Sequence, residues 1–211
     1  MKAAFDAAAR ARNLGSEWRG LDAGSASVAE VALRHARTVD LLVAAQADPR
    51  WPGSQRLDIA DRLVLGSGRP VLIIPNEGPQ QDFAERVLIA WNGGREAARA
   101  AFDALPLLQR AREVKMVWVN PQARDELAQN LPASAADICA ALARHGVKCK
   151  ATQAIDPHTN VGHTLLMHAK ENCADLLVMG CYGHSRLREF VLGGASQHVL
   201  RHMTIPVFMS H

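Results

Sequence analysis

The strongest chemical signal in the chain is the glycine run Gly180-Cys181-Tyr182-Gly183, followed after nine residues by Gly193-Gly194-Ala195-Ser196. It comes directly after Asp175-Leu176-Leu177-Val178-Met179, which reads as a short buried strand. It leads into Ser196-Gln197-His198-Val199-Leu200-Arg201-His202, which reads as a helix. Glycines at a strand end let backbone N–H groups approach an anion closely, and the amino end of the next helix adds partial positive charge. This is chemistry suited to phosphate, and so to a nucleotide; the bland alternative is a plain strand-to-helix turn. Two other phosphate loops are excluded, because neither Gly-x-x-x-x-Gly-Lys-Ser/Thr nor Gly-x-Gly-x-x-Gly occurs. Gly66-Ser67-Gly68 comes closest to the second. Pro70 and the strand-like run Val71 to Ile74 follow it, however, so it reads as a turn.

Other chemistry-bearing residues are less organised. His198 and His202 stand four apart on one helix face, the first requirement for a metal pair, but no third ligand is spaced nearby. His158, His163 and His168 recur every five residues, so on a helix of 3.6 residues per turn they splay around the axis. No metal site is expected. There is no Gly-x-Ser-x-Gly elbow, no nucleophile beside a base, and the carboxylates are scattered, so no catalytic residues are assigned. The cysteines Cys139, Cys149, Cys173 and Cys181 lack Cys-x-x-Cys spacing and read as reduced thiols. Cys139 and Cys173 fall in helical patterns and Cys149 in a strand. Cys181, in the glycine loop beside a helix terminus, is the one candidate for a lowered pKa.

These residues must be positioned by a chain of 211 residues, 48% of them hydrophobic, which is enough for a real core. A net charge of +3 without a basic block, together with low aromatic content, removes nucleic acid as a partner. No apolar run approaches a membrane span and no secretory leader is legible at Met1, so a cytoplasmic location without membrane contact is expected.

An internal repeat organises the chain. Asp40-Leu41-Leu42-Val43-Ala44 matches Asp175-Leu176-Leu177-Val178-Met179, and Arg69-Pro70-Val71-Leu72-Ile73-Ile74 matches Ile205-Pro206-Val207-Phe208-Met209. Two units follow, 1–78 and 84–211, joined near Asn76 to Asp82. The second alternates strand Arg86 to Ala90, helix Glu96 to Arg110, strand Val114 to Val119, helix Ala133 to His145 and strand Val147 to Ile155. It continues with helix Asn160 to Glu171, strand Asp175 to Met179, helix Arg188 to Met203 and strand Pro206 to Met209. Such alternation predicts an α/β fold, a doubly wound parallel sheet with helices on both faces and ligands at the carboxyl ends of its strands. The first unit offers helix Lys2 to Asn13, a weak strand Glu17 to Leu21, helix Val28 to Arg37, strand Leu41 to Ala44, helix Leu57 to Leu65 and strand Val71 to Ile74. It lacks counterparts of the opening strand, first helix and second strand.

The glycine spacing and the flanking strands resemble the universal stress protein family. Its nucleotide-binding members carry Gly-x-x-Gly, nine residues, then Gly-Ser/Thr after the fourth strand. Gly180, Gly183 and Gly193 match in position; Gly194 stands where the family has Ser/Thr, and Ser196 offers a replacement hydroxyl. Val87-Leu88-Ile89-Ala90-Trp91-Asn92-Gly93-Gly94 is similar to the family's first strand and loop, with Asn92 in place of Asp and Gly94 in place of Ser. The resemblance implies a tandem protein with a truncated first copy, and a flavodoxin-like or Rossmann-like sheet of order 3-2-1-4-5 in the second. With that order, the strand missing from the first copy would leave a central gap.

It also implies ATP, with magnesium, bound by the second unit through Ala90, Asn92, Val119, Met179, Gly180, Gly183, His184, Gly193, Gly194 and Ser196. Val119 and Met179 correspond to adenine-lining positions, and Asn92 would lie near the adenosine. Trp91 would narrow the pocket or stack on the base. Ser185 and Arg186 extend the loop and add donors. The equivalent first-unit loop, Ala45 to Trp51, has no glycines and contains Asp48 and Pro49, so no nucleotide is expected there. The implied function is a cytoplasmic stress-response regulator that binds an adenine nucleotide. The alternatives are an assembly module that binds none and a very slow ATPase. The family pairs through fifth strands, here Val71 to Ile74 and Val207 to Met209, which implies a homodimer or a pairing of the two within one chain.

Overall fold

The computed structural model describes residues 1–48, 50, 59–77, 83–120, 134–181 and 194–211. In chain order the elements are α1 (Lys2–Ala11), α2 (Val28–Ala36), β1 (Leu42–Ala45), α3 (Ile59–Ser67), β2 (Val71–Ile74) and β3 (Arg86–Trp91). Then come α4 (Arg95–Asp103), α5 (Leu105–Leu108), β4 (Glu113–Val119), α6 (Ala135–Ala143) and β5 (Cys149–Ala154). The last four are α7 (Val161–Glu171), β6 (Leu176–Gly180), α8 (Gly194–His202) and β7 (Val207–Ser210).

All of these strands join one sheet in the order β1-β2-β7-β6-β3-β4-β5. Neighbours are parallel except at β2 and β7, where Val71, Leu72 and Ile73 run antiparallel to Met209, Phe208 and Val207. The segments Val71 to Ile74 and Val207 to Met209 thus pair with each other within one chain. The sheet is doubly wound. Ala97, Ala101, Leu108, Ile138 and Leu142 of α4, α5 and α6 cover one face; Leu63, Leu165 and Val199 of α3, α7 and α8 cover the other. Burial on both faces is why β2, β6 and β7 read as uninterrupted apolar runs rather than alternating ones.

Local chemistry sets the element ends. Ser27 with Glu30, and Ser134 with Asp137, form capping boxes at the starts of α2 and α6. The expected single helix Glu96 to Arg110 is divided at Ala104, because Pro106 has no N–H to continue the ladder and is accommodated only in the first turn of α5. Cys173 lies beyond the end of α7 with φ 48°, not within the helix.

The weak strand Glu17 to Leu21 is absent. Those residues are exposed and pair with none of the described strands, and Arg19 bonds Glu17 and His35. Without it there is no central gap for flanking strands to close: β1 is an outer strand of a continuous sheet. Asp175 and its repeat counterpart Asp40 show the difference. The Asp175 carboxylate accepts the backbone N–H groups of Glu85 and Arg86, both at 3.0 Å, and so fixes the start of β3 on β6. Asp40 has no strand on its outer side among the described residues, and Val43 in the following strand is 64% exposed.

At the far end of β7, Ser210 is fully buried and its hydroxyl has no hydrogen-bond partner among the described residues. An orphaned buried hydroxyl carries its full desolvation cost. Ser210→Ala is therefore expected to raise the unfolding free energy by about 1 kcal/mol in urea denaturation. A clear loss of stability would contradict that reading.

Candidate functional site

The carboxyl ends of β3, β4, β5, β6 and β7 share one rim, and strand order reverses between β3 and β6, where open α/β sheets place their ligands. Ala90 pairs with Met179 across this switch point, and Val119 ends the neighbouring β4. All three pack on the face covered by α7 and α8 and form a short apolar wall. Trp91 does not join them. The strand alternation turns it to the opposite face, where it is 3% exposed and pairs in register with Trp118, so it is a core residue rather than a base-stacking one.

After β3, the Asn92 side chain turns back on the chain. Its Oδ1 accepts the Gly94 N–H at 2.9 Å, and Gly93 adopts φ 71°. A Cβ on Gly94 would stand 3.0 Å from that same oxygen, so a glycine here fits the turn that Asn92 makes. Glu96 follows in the first turn of α4 and is buried. Burial pushes its carboxyl up, but hydrogen bonds from Arg95 and from its own backbone N–H, with the charges of Arg95 and His211, outweigh this and hold it below the ordinary carboxylate range.

Gly180 ends β6 directly beneath this turn. A Cβ there would lie 2.4 Å from both the Ala97 nitrogen and the Glu96 carbonyl carbon. The missing side chain lets α4 lie on the strand end, a packing role that the phosphate-loop reading did not contain. Beyond it, Cys181 is buried rather than exposed. Its N–H donates to the Ser210 carbonyl at 3.0 Å, and its own carbonyl accepts Nδ1–H of His211 at 2.9 Å.

On the wall side, Asn160 caps α7 by accepting the Gly162 N–H at 2.8 Å. A Cβ on Gly162 would stand 2.5 Å from the Ala195 carbonyl oxygen, so α7 and α8 touch backbone to backbone. Their amino ends therefore lie together at the rim, and the Asn160 amide nitrogen is 3.6 Å from the Cβ position of Gly194. Ser196 is buried in the first turn of α8. Gly183, His184 and Gly193, with Ser185 and Arg186, lie outside the described residues.

Glu96, Asn160 and His211 were not picked out from sequence. An acidic residue just inside a helix start, and Asn two before a glycine, are the local signals for the first two; nothing local marks His211.

The same helix contact gathers histidines. The rings of His198 and His202 stack at 4.3 Å, and His163 of α7 meets His198 edge-on at 5.7 Å. Nδ1–H of His202 donates to the His198 carbonyl at 2.9 Å. Among the described residues, no three His, Cys, Asp or Glu side chains are set to hold a metal ion. No helix among them is long and apolar enough to cross a membrane.

Two outcomes are expected. Gly180→Ala should cost at least about 1–3 kcal/mol of stability without any nucleotide present, because backbone atoms occupy the space the methyl needs; equal melting temperatures would refute the packing role. Burial, and then the neighbouring His202 and His163, hold His198 below the ordinary 6.5. The folded state thus binds the proton less well than the unfolded chain, so this contribution is intact above pH 6.5 and is lost as pH falls through that value toward the lower folded pKa. Melting temperature against pH should fall less steeply over that window in His198→Asn than in the parent.

Comparison with known proteins places this architecture. The Universal stress protein family model matches residues 84–211, more than half of the chain. The universal stress protein Slr1230 of Synechocystis is 28% identical over 151 residues, which cover 70% of this chain and 48% of that protein. This chain thus spans about half the length of that curated relative. Among solved structures, a universal stress protein from Archaeoglobus fulgidus superposes with a TM-score of 0.65 at 16% identity, covering 86% of this chain and 64% of that one. A functionally unknown protein from Pseudomonas aeruginosa PAO1 does so with a TM-score of 0.61 at 15% identity, covering 99% and 76%. At such identities the structural likeness speaks for the fold alone. From β3 to β7 the family's model and the doubly wound sheet coincide, and the chain belongs to the universal stress protein family.

Proposed function

We propose that the rim at the carboxyl ends of β3, β4 and β6 binds an adenine nucleotide, ATP with magnesium, and that the protein is a cytoplasmic stress-response regulator rather than an enzyme. The observation that carries this reading is the grouping of Ala90, Val119 and Met179 on one face of the rim, beside the touching amino ends of α7 and α8. An apolar wall with few polar groups suits a base. The helix amino ends favour the charge of a polyphosphate, and the glycine spacing around Gly183 and Gly193 adds backbone donors for it. Magnesium, when bound, would offset charge on the polyphosphate.

In this reading Asn92 acts through shape. Its oxygen is committed to the Gly94 amide, which leaves the amide nitrogen to face the adenosine. Gly180 keeps α4 close beneath the ligand, and Gly194 opens α8 without a side chain over its first amides. A regulatory role fits the absence of a catalytic constellation in the sequence. The second reading, an assembly module, finds its support in β1, whose outer edge faces no strand among the described residues. Copies cannot associate through the fifth-strand edges of β2 and β7, because these pair with each other, so a homodimer would need another surface.

Titration calorimetry with ATP and magnesium tests the proposal. The parent protein should bind, and Gly183→Arg should weaken affinity by at least about tenfold, equivalent to one charge-assisted hydrogen bond or more, with the melting temperature unchanged. No heat of binding from the parent protein would favour the assembly reading. Steady phosphate release over hours would favour the slow ATPase instead.

A further inference from the structure

One side chain ties the first unit to the helix that opens at the proposed nucleotide rim. Gln46 follows β1, at the position where the repeat places the first unit's counterpart of the glycine loop. Its backbone N–H continues the β1–β2 ladder to the Ile74 carbonyl at 2.8 Å. Its side chain does something else: Nε2 donates to the Leu200 carbonyl of α8 at 2.9 Å and reaches the Arg201 carbonyl at 3.4 Å. Oε1 meanwhile accepts the Asn76 N–H at 3.1 Å, which fixes the amide in the orientation that presents its donors to α8.

The sheet direction explains why these groups meet. Because β2 runs antiparallel to β7, the carboxyl ends of β1 and β2 lie on the rim opposite the nucleotide rim, level with the carboxyl end of α8. The last carbonyls of a helix have no partner within it and carry the negative end of its dipole, so a fixed donor there satisfies groups the helix cannot. Helix α8 has nine residues and spans about 13 Å from one rim to the other. At its amino end the bare backbone of Gly162 sets its distance from α7. At its carboxyl end, Gln46 sets its position against the first unit.

We infer that Gln46 is a positioning residue for the nucleotide rim: by capping the carboxyl end of α8, it fixes the placement of Gly194 to Ser196 at the other end. The inference rests on the nucleotide reading above for its ligand, but not for its mechanics. The first unit, which lacks a glycine loop, thereby serves the site of the second.

The experiment compares the full-length parent with Gln46→Glu, Gln46→Leu and Gln46→Lys. Glu and Leu lose the donor to Leu200, and Glu adds a like charge beside the helix carbonyls. Lys loses the acceptor for Asn76 but keeps a cationic donor, which suits a helix carboxyl end. The first readout is hydrogen exchange at His198 and Val199, whose amides bond the Gly194 and Ala195 carbonyls in the first turn of α8. Gln46→Glu and Gln46→Leu should speed exchange there about fivefold, the worth of one net hydrogen bond, while Gln46→Lys stays near the parent rate. The second readout is ATP–magnesium titration, in which affinity should fall about fivefold for Glu and Leu and be rescued by Lys.

Faster exchange confined to His202 and Met203, at the carboxyl end of α8, would overturn the inference. So would equal effects of all three substitutions, which would mark a role in the β1–β2 pairing only, or a parent that binds and variants that bind equally well. If the parent binds no ATP, the nucleotide reading falls, and the exchange pattern alone decides whether Gln46 positions α8.

Discussion

The antiparallel contact between β2 and β7 is the constraint on which the rest of the molecule depends. Only three residues on each side are in register, yet they turn two sets of parallel strands into one sheet with two continuous cores. Phe208 and Leu72 meet there on one face, Val71 and Met209 on the other, and all are buried. The reversal of direction has a functional side as well. In the nucleotide reading proposed above, it leaves that rim to β3, β4 and β6, because the carboxyl ends of β1 and β2 lie on the opposite one.

A second constraint is the thickness of the layers at the rim. Gly180 lets α4 lie on the end of β6, and Gly162 lets α7 lie on α8, each with backbone where a methyl group would otherwise be. Close packing of this kind leaves little room for adjustment, and interiors at crystalline density transmit displacements rather than absorbing them. The apolar wall of Ala90, Val119 and Met179 is therefore held from both faces of the sheet.

The sequence was legible where burial imposes a period or a run. The two-sided strands β2, β3, β4, β6 and β7 stand out as apolar runs, and the matching segments Asp40 to Ala44 and Asp175 to Met179 each lead into a strand, β1 and β6. It was misleading where the decisive partner is distant. Glu17 to Leu21 carries strand-like residues but has no neighbour to bond, and edge pairing decides such a segment more than propensity does. Trp91 read as a candidate base-stacking residue because the face of a strand end depends on its register, not on its composition. Gly180 illustrates a subtler limit: the sequence marks a glycine at a strand end, but not the helix backbone that would lie within 3 Å of its Cβ. Ala90, Val119 and Met179 follow from the family resemblance, and the fold brings them to one face of one rim. The contributions of Glu96, Asn160 and His211 come from helix starts and a strand end that only the folded chain brings together.

The order in which the chain leaves the ribosome gives the β2–β7 contact a further consequence. Val71 is made early and Met209 late, so one side of β2 must wait through the synthesis of the whole intervening α/β unit, on the order of ten seconds at cellular rates. During that interval β2 is an uncharged apolar strand, Val-Leu-Ile-Ile, with an open edge. Such an edge is a template for unwanted pairing. Its short length, four residues, is the protection available to it until β7 arrives. A chain that has not yet reached β7 leaves that edge open to unwanted pairing.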